Sequence, residues 1–425
     1  MLKLSTLYRF LALLFIIILS CSTPTSKNNN LKKLKSTKTA AQILGDSNYL
    51  AICYGGYRHN TRDSQPSIAQ IKDDLKLLSA LGIKVLRTYN TKYKEVGNIL
   101  EAITELQRED SYFEMFVMLG AWIDCENAWT NKVPNHEKEN EVANAEEIQR
   151  AVVLANKYPG IVKVISVGNE ARVKWATNYY VQPEVILKWV NYLQNLKKVQ
   201  KLVKNLWITS SDNFASWGGG DSLYHCKDLE KLIQEVDFIS LHTYPMHDTH
   251  YNPVFWGSLK SDLLKPKIEA TELLMQRAVA YAQKQYANTV KYIRHIDSTK
   301  QVHIGETGWA SASNGYHGDT GSKACDEIKA GIYYKQMRKW TNKANISCFY
   351  FEAFDEKWKD AMNAGGSENH FGLFNINGQA KYGLWHLVDK GVFKELTRDG
   401  KSISKTYNGN LNTLLEELKL PPLRQ

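Results

Sequence analysis

Two glutamates stand where short apolar runs break off. In Ile161 to Arg172 (IVKVISVGNEAR) the β-branched segment Val162 to Val167 stops at Gly168-Asn169-Glu170, which sets an amide beside a carboxylate. In Gln301 to Trp309 (QVHIGETGW) a second apolar run, Val302 to Gly305, ends on Glu306. One carboxyl group can lend a proton but completes few reactions alone. Two of them, each at the C-terminal end of its own strand, are the minimum for cleaving a glycosidic bond. Glu170 is then expected to protonate the leaving oxygen and later deprotonate a water, which requires surroundings that raise its pKa. Glu306 is expected to attack the anomeric carbon. A retaining double displacement of this kind needs the two carboxyls about 5–5.5 Å apart.

Several neighbours suit that chemistry. Asn169 is placed to hydrogen-bond a sugar 2-hydroxyl. Arg87 emerges from an apolar run in Leu86-Arg87-Thr88-Tyr89, and a charge so placed needs a partner, for which a catalytic carboxylate or a structural ion pair would serve. Tyr57 follows Gly55-Gly56 and could line a sugar site, the glycines giving either close backbone approach to a ligand or a plain tight turn. Tyr244, in Ser240-Leu241-His242-Thr243-Tyr244-Pro245, is either a hydroxyl donor to the nucleophile or a core residue. Gly305 and Gly308 leave room for substrate, and Trp309 offers a stacking surface. Glu352 to Lys359 concentrates charge around aromatics, as a subsite wall or a charged loop would. His247 and His250 have HxxH spacing without an evident third ligand and read as exposed loop residues, so neither a metal nor an organic cofactor is expected.

Strands must hold these groups. The apolar runs Leu50–Tyr54, Val85–Thr88, Met115–Leu119, Val162–Val167, Trp207–Ser210, Phe238–Leu241, Val302–Gly305 and Cys348–Phe351 are the candidates. Amphipathic stretches separate most of them: Ile68–Leu81, Val96–Gln107, Ala145–Lys157, Pro183–Lys201, Leu223–Glu235, Ala270–Ala287 and Cys325–Asn342. Eight strands alternating with helices predict a single-domain (β/α)8 TIM barrel over residues 47–388, with catalytic groups at the C-terminal rim. An open doubly wound sheet is the alternative, disfavoured because no GxGxxG follows any strand.

With these residues assembled, the chain resembles glycoside hydrolase family 17, the β-1,3-glucanases and transglycosylases of the retaining (β/α)8 clan, from about Tyr49 to Leu387. Val167-Gly168-Asn169-Glu170 and Glu306-Thr307-Gly308-Trp309 carry the resemblance most specifically. Arg87-Thr88-Tyr89, His242-Thr243-Tyr244-Pro245, Phe354-Asp355-Glu356-Lys357-Trp358-Lys359 and Phe371-Gly372-Leu373-Phe374 support it. The resemblance implies the same roles for Glu170 and Glu306, and places Tyr244, Glu356 and Lys359 in the cleft. Two departures stand out: Ala310 where the family has proline, and a long segment, Trp122 to Glu141, that either blocks or extends the cleft. β-1,3-Glucan hydrolysis is therefore expected. Glucan transfer on the same residues is the enzyme rival, and an inactive glycan-binding surface lipoprotein is the rival of another class.

The remaining features concern location. Lys3 and Arg9 precede an apolar run, Phe10 to Leu19, too short for a convincing span, and Ile18-Leu19-Ser20-Cys21 resembles a lipoprotein cleavage box. Residues 1–21 are expected to be a signal peptide with Cys21 lipidated, residues 22–46 a polar tether, and residues 389–425 a tail after the barrel. Ser22, with no Asp there, implies the outer membrane in a Gram-negative cell. The other five cysteines show no CxxC spacing and read mostly as small buried hydrophobes, with one bridge at most. The 54 Lys and Arg against 44 Asp and Glu describe a soluble lysine-rich surface. No basic block carries interleaved aromatics, so nucleic acid is not an expected partner. A glucan-degrading monomer on a membrane is the reading.

Overall fold

In the computed structural model, which describes residues 38–424, each of the eight expected runs is a strand of one closed barrel. The strands are β1 Leu50–Cys53, β2 Ile83–Arg87, β3 Phe116–Ala121, β4 Val162–Asn169, β5 Trp207–Asn213, β6 Ile239–His242, β7 Val302–Gly308 and β8 Cys348–Phe351. They pair in parallel and in chain order. Closure comes from β1 against β8, with Ala51 opposite Phe349 and Ile52 opposite Tyr350. That pairing excludes the open sheet. Burial on both faces explains the unbroken apolar runs: every residue of β3 is buried.

Seven helices return the chain: α1 Ile68–Ala80, α2 Lys94–Glu109, α3 Glu141–Lys157, α4 Pro183–Lys198, α5 Lys227–Glu235, α6 Lys267–Ile296 and α7 Glu327–Lys343. A short α8, Trp385–Asp389, follows β8. Their faces obey helical spacing; α2 buries Val96, Ile99, Leu100, Ile103 and Leu106. Ends are set by local chemistry. Ser67 Oγ accepts from the Gln70 backbone at 3.2 Å while Gln70 Oε1 accepts from the Ser67 backbone at 3.1 Å, a reciprocal cap on α1. Asp326 caps α7 through the Lys329 N–H at 2.8 Å.

Two expected boundaries move. Residues 1–21, with Cys21, and most of the tether lie outside the described residues. The described end of that stretch is packed: a short helix, Ala40–Ile43, buries Ala40 and Ile43, and the Gly45 N–H donates to Ser347 Oγ at 2.8 Å beside the start of β8. The expected tail is packed as well. Arg398 is buried, lies 4.1 Å over the Phe354 ring, and donates to Asp74 at 3.0 Å, where Arg58 and the Tyr54 hydroxyl also converge. Beyond it, Leu414 of the helix Leu411–Glu417 and the adjoining Leu418 are buried. A sequence rich in lysine hides such anchoring because the anchors are few. Among the described residues all five cysteines are free thiols; Cys53, Cys125 and Cys348 are buried, Cys325 is half-buried and Cys226 exposed. No helix among them is long and apolar enough to cross a membrane.

Candidate active site

The C-terminal ends of β2, β4, β6 and β7 meet at one place. Glu306, on β7, is buried and fully occupied: Arg87 Nη1 pairs with its Oε2, the Tyr89 hydroxyl donates to Oε2 at 2.9 Å, and the Tyr244 hydroxyl donates to Oε1 at 2.5 Å. Burial alone would push this carboxyl upward. The positive partners His242 and Arg87 and the two phenols outweigh it and hold Glu306 well below the usual carboxylate range. His242 is itself lowered to about 4 by burial, so above that pH the imidazole is neutral and Arg87 with the phenols does the holding. Burial keeps both phenols protonated, as donors must be.

Glu170 faces the opposite way electrostatically. Burial, then the charges of Glu306 and Asp212, raise its pKa well above the usual value. Its carboxyl meets His242 Nδ1 at 3.2 Å, while His242 Nε2 meets Ser211 Oγ at 2.7 Å. The neutral imidazole thus bridges β5 to Glu170 and fixes the carboxyl's orientation. The backbone is bent to deliver it. Glu170 has φ +46°, a left-handed conformation uncommon for this residue type, and its N–H donates to Ser211 O at 2.9 Å. Gly168, at φ +77°, makes the bend possible, since a Cβ there would sit 3.0 Å from both Ala171 and Ile186.

Asn169 lies between the two acids. Its Oδ1 accepts from Arg87 Nη2, and because a guanidinium only donates, this contact fixes the amide orientation. Arg87 therefore links both strands of the site.

Residues after β1 and β8 form a second cluster. Glu356 is buried and accepts from the Tyr57 N–H at 3.0 Å and the Trp358 indole at 2.9 Å, with Lys359 3.5 Å away. Lys359 also pairs with Glu352 and sits 3.9 Å over Phe351, whose ring packs edge-on against Tyr89 and Tyr244. The Lys359 ammonium thus stands one ring away from the phenols that hold Glu306.

The sequence model of the BtgE/BtgC glycoside hydrolase domain matches residues 51–372, which contain both glutamates and every partner named above. The chain belongs to this glycoside hydrolase family. The solved structure of an endo-laminarinase from Formosa Hel1_33_131 is 60% identical, the match covers 91% of this chain and 98% of that one, and the two superpose with a TM-score of 0.90. A probable glucan endo-1,3-beta-glucosidase btgC from Aspergillus terreus is 24% identical over 75% of the chain, and the chain spans 42% of that relative's length. The fold is shared at a TM-score of 0.54 by an active-site mutant of Rhizomucor miehei beta-1,3-glucanosyltransferase in complex with laminaritriose, 20% identical over 80% of this chain and 97% of that one.

In this BtgE/BtgC-type glycoside hydrolase the expected site residues divide. Glu170, Glu306, Asn169, Arg87 and Tyr244 converge, and Glu356 and Lys359 border them. Trp309 does not offer a stacking surface: it is fully buried, its indole donates to Ala324 O at 2.8 Å, and Tyr333 and Trp256 cover its ring. Gly305 and Gly308 make room for protein rather than substrate. A Cβ at Gly305 would meet Ser240 Oγ at 1.9 Å, and one at Gly308 would meet Phe351 O at 2.1 Å. Tyr57 is likewise buried, its hydroxyl held by Gln65 at 3.3 Å and Glu95 at 3.4 Å, so it supports Glu356 from behind. Gly55 serves the same acid, since a Cβ there would lie 2.5 Å from Glu356 Oε1.

Tyr89, His242, Ser211 and Asp212 are the functional neighbours that reading single positions passes over. Their signal is polarity inside strands: Thr209 to Asn213 is polar throughout yet mostly buried, and Asp212 is paired with Arg172 at 3.2 Å. His247 and His250 lie on a short helix, Pro245–Tyr251, rather than in a loop; His247 is half-buried with its ring 5.3 Å from that of Tyr244, and His250 is exposed and stacks on Tyr316. Among the described residues no group of three or more His, Cys, Asp and Glu could hold a metal ion.

Proposed function

We propose that the protein cleaves β-1,3-glucan internally by double displacement, with Glu306 as nucleophile and Glu170 as acid and base. The observation that carries this is the meeting of two glutamates at neighbouring strand ends in opposite company, Glu306 held by the Arg87 guanidinium and two phenols and Glu170 by the His242 imidazole alone. The substrate follows from the 60%-identical endo-laminarinase. In the first step Glu306 attacks the anomeric carbon, the glycosidic bond breaks, and Glu170 gives its proton to the departing oxygen. The ester at Glu306 carries no charge. Repulsion on Glu170 therefore falls, its pKa drops, and the carboxylate becomes a base able to take a proton from the water that releases the sugar.

Laminarin digestion followed by chromatography tests the reading. A ladder of oligosaccharides released as the β-anomer, seen by proton NMR before mutarotation, is expected; α-anomer, or release of glucose alone from chain ends, would overturn it. Longer products at high oligosaccharide concentration would reveal transfer. The pH profile of kcat/KM should be a bell. Its acid limb, from Glu306, lies below the ordinary carboxylate range and its alkaline limb, from Glu170, lies above it.

Attachment is part of the proposal. Cys21 is the lipidated N-terminus, the support being the Ile18-Leu19-Ser20-Cys21 box after a short apolar run, and Ser22 in place of Asp favours the outer membrane. Labelled palmitate is expected to enter the wild-type chain and not a Cys21→Ser variant; equal labelling would refute it.

A further inference from the structure

The segment after β3 was expected to block or to extend the cleft. It gathers three rings into a cluster. Trp122 follows β3 directly, Tyr179 lies between β4 and α4, and Trp129 stands at the head of an antiparallel pair, Cys125–Glu126 with Asn135–Glu139. Ring centroids are 5.0 Å apart from Trp122 to Tyr179, 5.2 Å from Tyr179 to Trp129 with planes 20° from parallel, and 6.4 Å from Trp122 to Trp129, so each ring touches the other two and Trp129 presents the outer face. Trp129 remains 60% exposed after that stacking, while Trp122 and Tyr179 are half-buried.

Its backbone is held against its preference. Asn127 and Trp129 have φ +65° and +59°, conformations that persist only where surroundings fix them. The Ala128 N–H donates to Cys125 O at 3.2 Å, Thr130 Oγ1 to Asn127 O at 2.7 Å, and Asn127 Nδ2 to Val133 O at 3.2 Å. Two ties join the segment to the β4 loop: the Cys125 N–H to Tyr179 O at 3.1 Å, and His136 stacked on Tyr180. The rings are thus a rigid surface.

Position decides which end of a glycan this surface meets. The Tyr179 hydroxyl lies within electrostatic reach of Glu170, Asp212 and Glu306, most strongly of Glu170. The Glu356 cluster follows β8 and β1, across the barrel mouth from β3 and β4, and borders the phenols around Glu306. A chain crossing the mouth meets Lys359 and Glu356 on the nucleophile's side and the three rings on the proton donor's side. The donor faces the leaving oxygen.

We propose that Trp122, Tyr179 and Trp129 are the platform for glucosyl units on the leaving-group side of the scissile bond. The assignment rests on the β-1,3-glucan reading and deepens it. Flat apolar faces with polar edges suit pyranose rings, which present axial hydrogens on one side and hydroxyls around the rim. A second glucan resting there is also the acceptor that competes with water for the glycosyl-enzyme, so the same rings govern transfer.

The test compares laminarin with an aryl β-laminaribioside, whose leaving group places no sugar on the platform. For Trp129→Ala the ratio of kcat/KM on laminarin to that on the aryl glycoside should fall about tenfold, mainly through KM, with less transfer product. Trp129→Phe, which keeps a ring, should stay within about twofold of wild type in that ratio. An unchanged ratio in active Trp129→Ala enzyme, including equal loss on both substrates, overturns the platform and leaves the glucanase reading intact. Wild-type enzyme inert on laminarin removes both.

Discussion

Replacing Glu306 with Gln is expected to lower laminarin turnover on the order of 10⁴-fold or more, the scale at which loss of a nucleophile leaves only binding and positioning. Replacing Glu170 with Ala should behave differently on substrates that differ in leaving group. Laminarin needs a proton on the departing oxygen and should be lost nearly as completely. An aryl glycoside with an acidic phenol does not need that proton, so glycosylation of Glu306 survives. Hydrolysis of the ester then stalls for want of a base. Stopped-flow should show a burst of phenol, close to one per enzyme, followed by a slow phase. Azide, an anion that needs no deprotonation, should restore the slow phase and give a glycosyl azide of β configuration. Glu306→Gln should show neither burst nor rescue to the β product. A burst from Glu306→Gln, or identical behaviour of the two variants, would show that the roles are misassigned.

The barrel was legible because its signals are local. Most strands are runs of apolar residues whose burial on both faces leaves no alternation to confuse them with a surface strand, and each helix repeats at its own spacing. The eighth helix is only Trp385–Asp389, too short to leave a periodic trace. The two acids were legible for a related reason: a carboxylate that interrupts an apolar run must sit at the strand's end. What surrounds those acids was less so, because partnership is decided by the barrel's closure. Arg87 and Glu306 stand far apart in sequence and share one hydrogen bond in space. Tyr89 meets Glu306 only because β2 and β7 face across the same mouth.

Where the sequence misled, it did so by position. Trp309 and Tyr57 sit just past strand ends, where exposed aromatics are wanted. Trp309 instead turns under the rim to donate to Ala324, and Tyr57 turns behind Glu356. The two glycines around Glu306 are required by strands packing closely, since Ser240 and the Phe351 carbonyl occupy the space a side chain would need. Trp129, which does remain in water, comes from the long segment between β3 and α3.

Removing the guanidinium with Arg87→Met is expected to change both activity and stability, and in linked ways. Glu306 then keeps its burial and its phenols but loses the opposing charge, so desolvation governs and its pKa rises. Asn169 loses the contact that fixes its amide. A drop in kcat/KM of about 10²–10³-fold is expected, the range seen when one charge-stabilising donor is deleted. The acid limb of the bell should move upward together with it. For stability the sign follows from the same group. In the wild-type protein Glu306 has a folded pKa below its unfolded value. Its contribution is complete above the unfolded pKa and is lost as pH falls through the folded one. In Arg87→Met the folded pKa lies above the unfolded value, and the sign reverses: ionised Glu306 is buried without its cation and penalises folding as pH rises. Breaking a buried pair in this way costs about 3–5 kcal/mol. The stability difference between wild type and variant should therefore be large at about pH 8 and smaller at about pH 4.5, as urea unfolding would measure. Equal differences at both pH values, with an acid limb that does not move, would mean that Arg87 is a structural strut and that something else keeps Glu306 ionised.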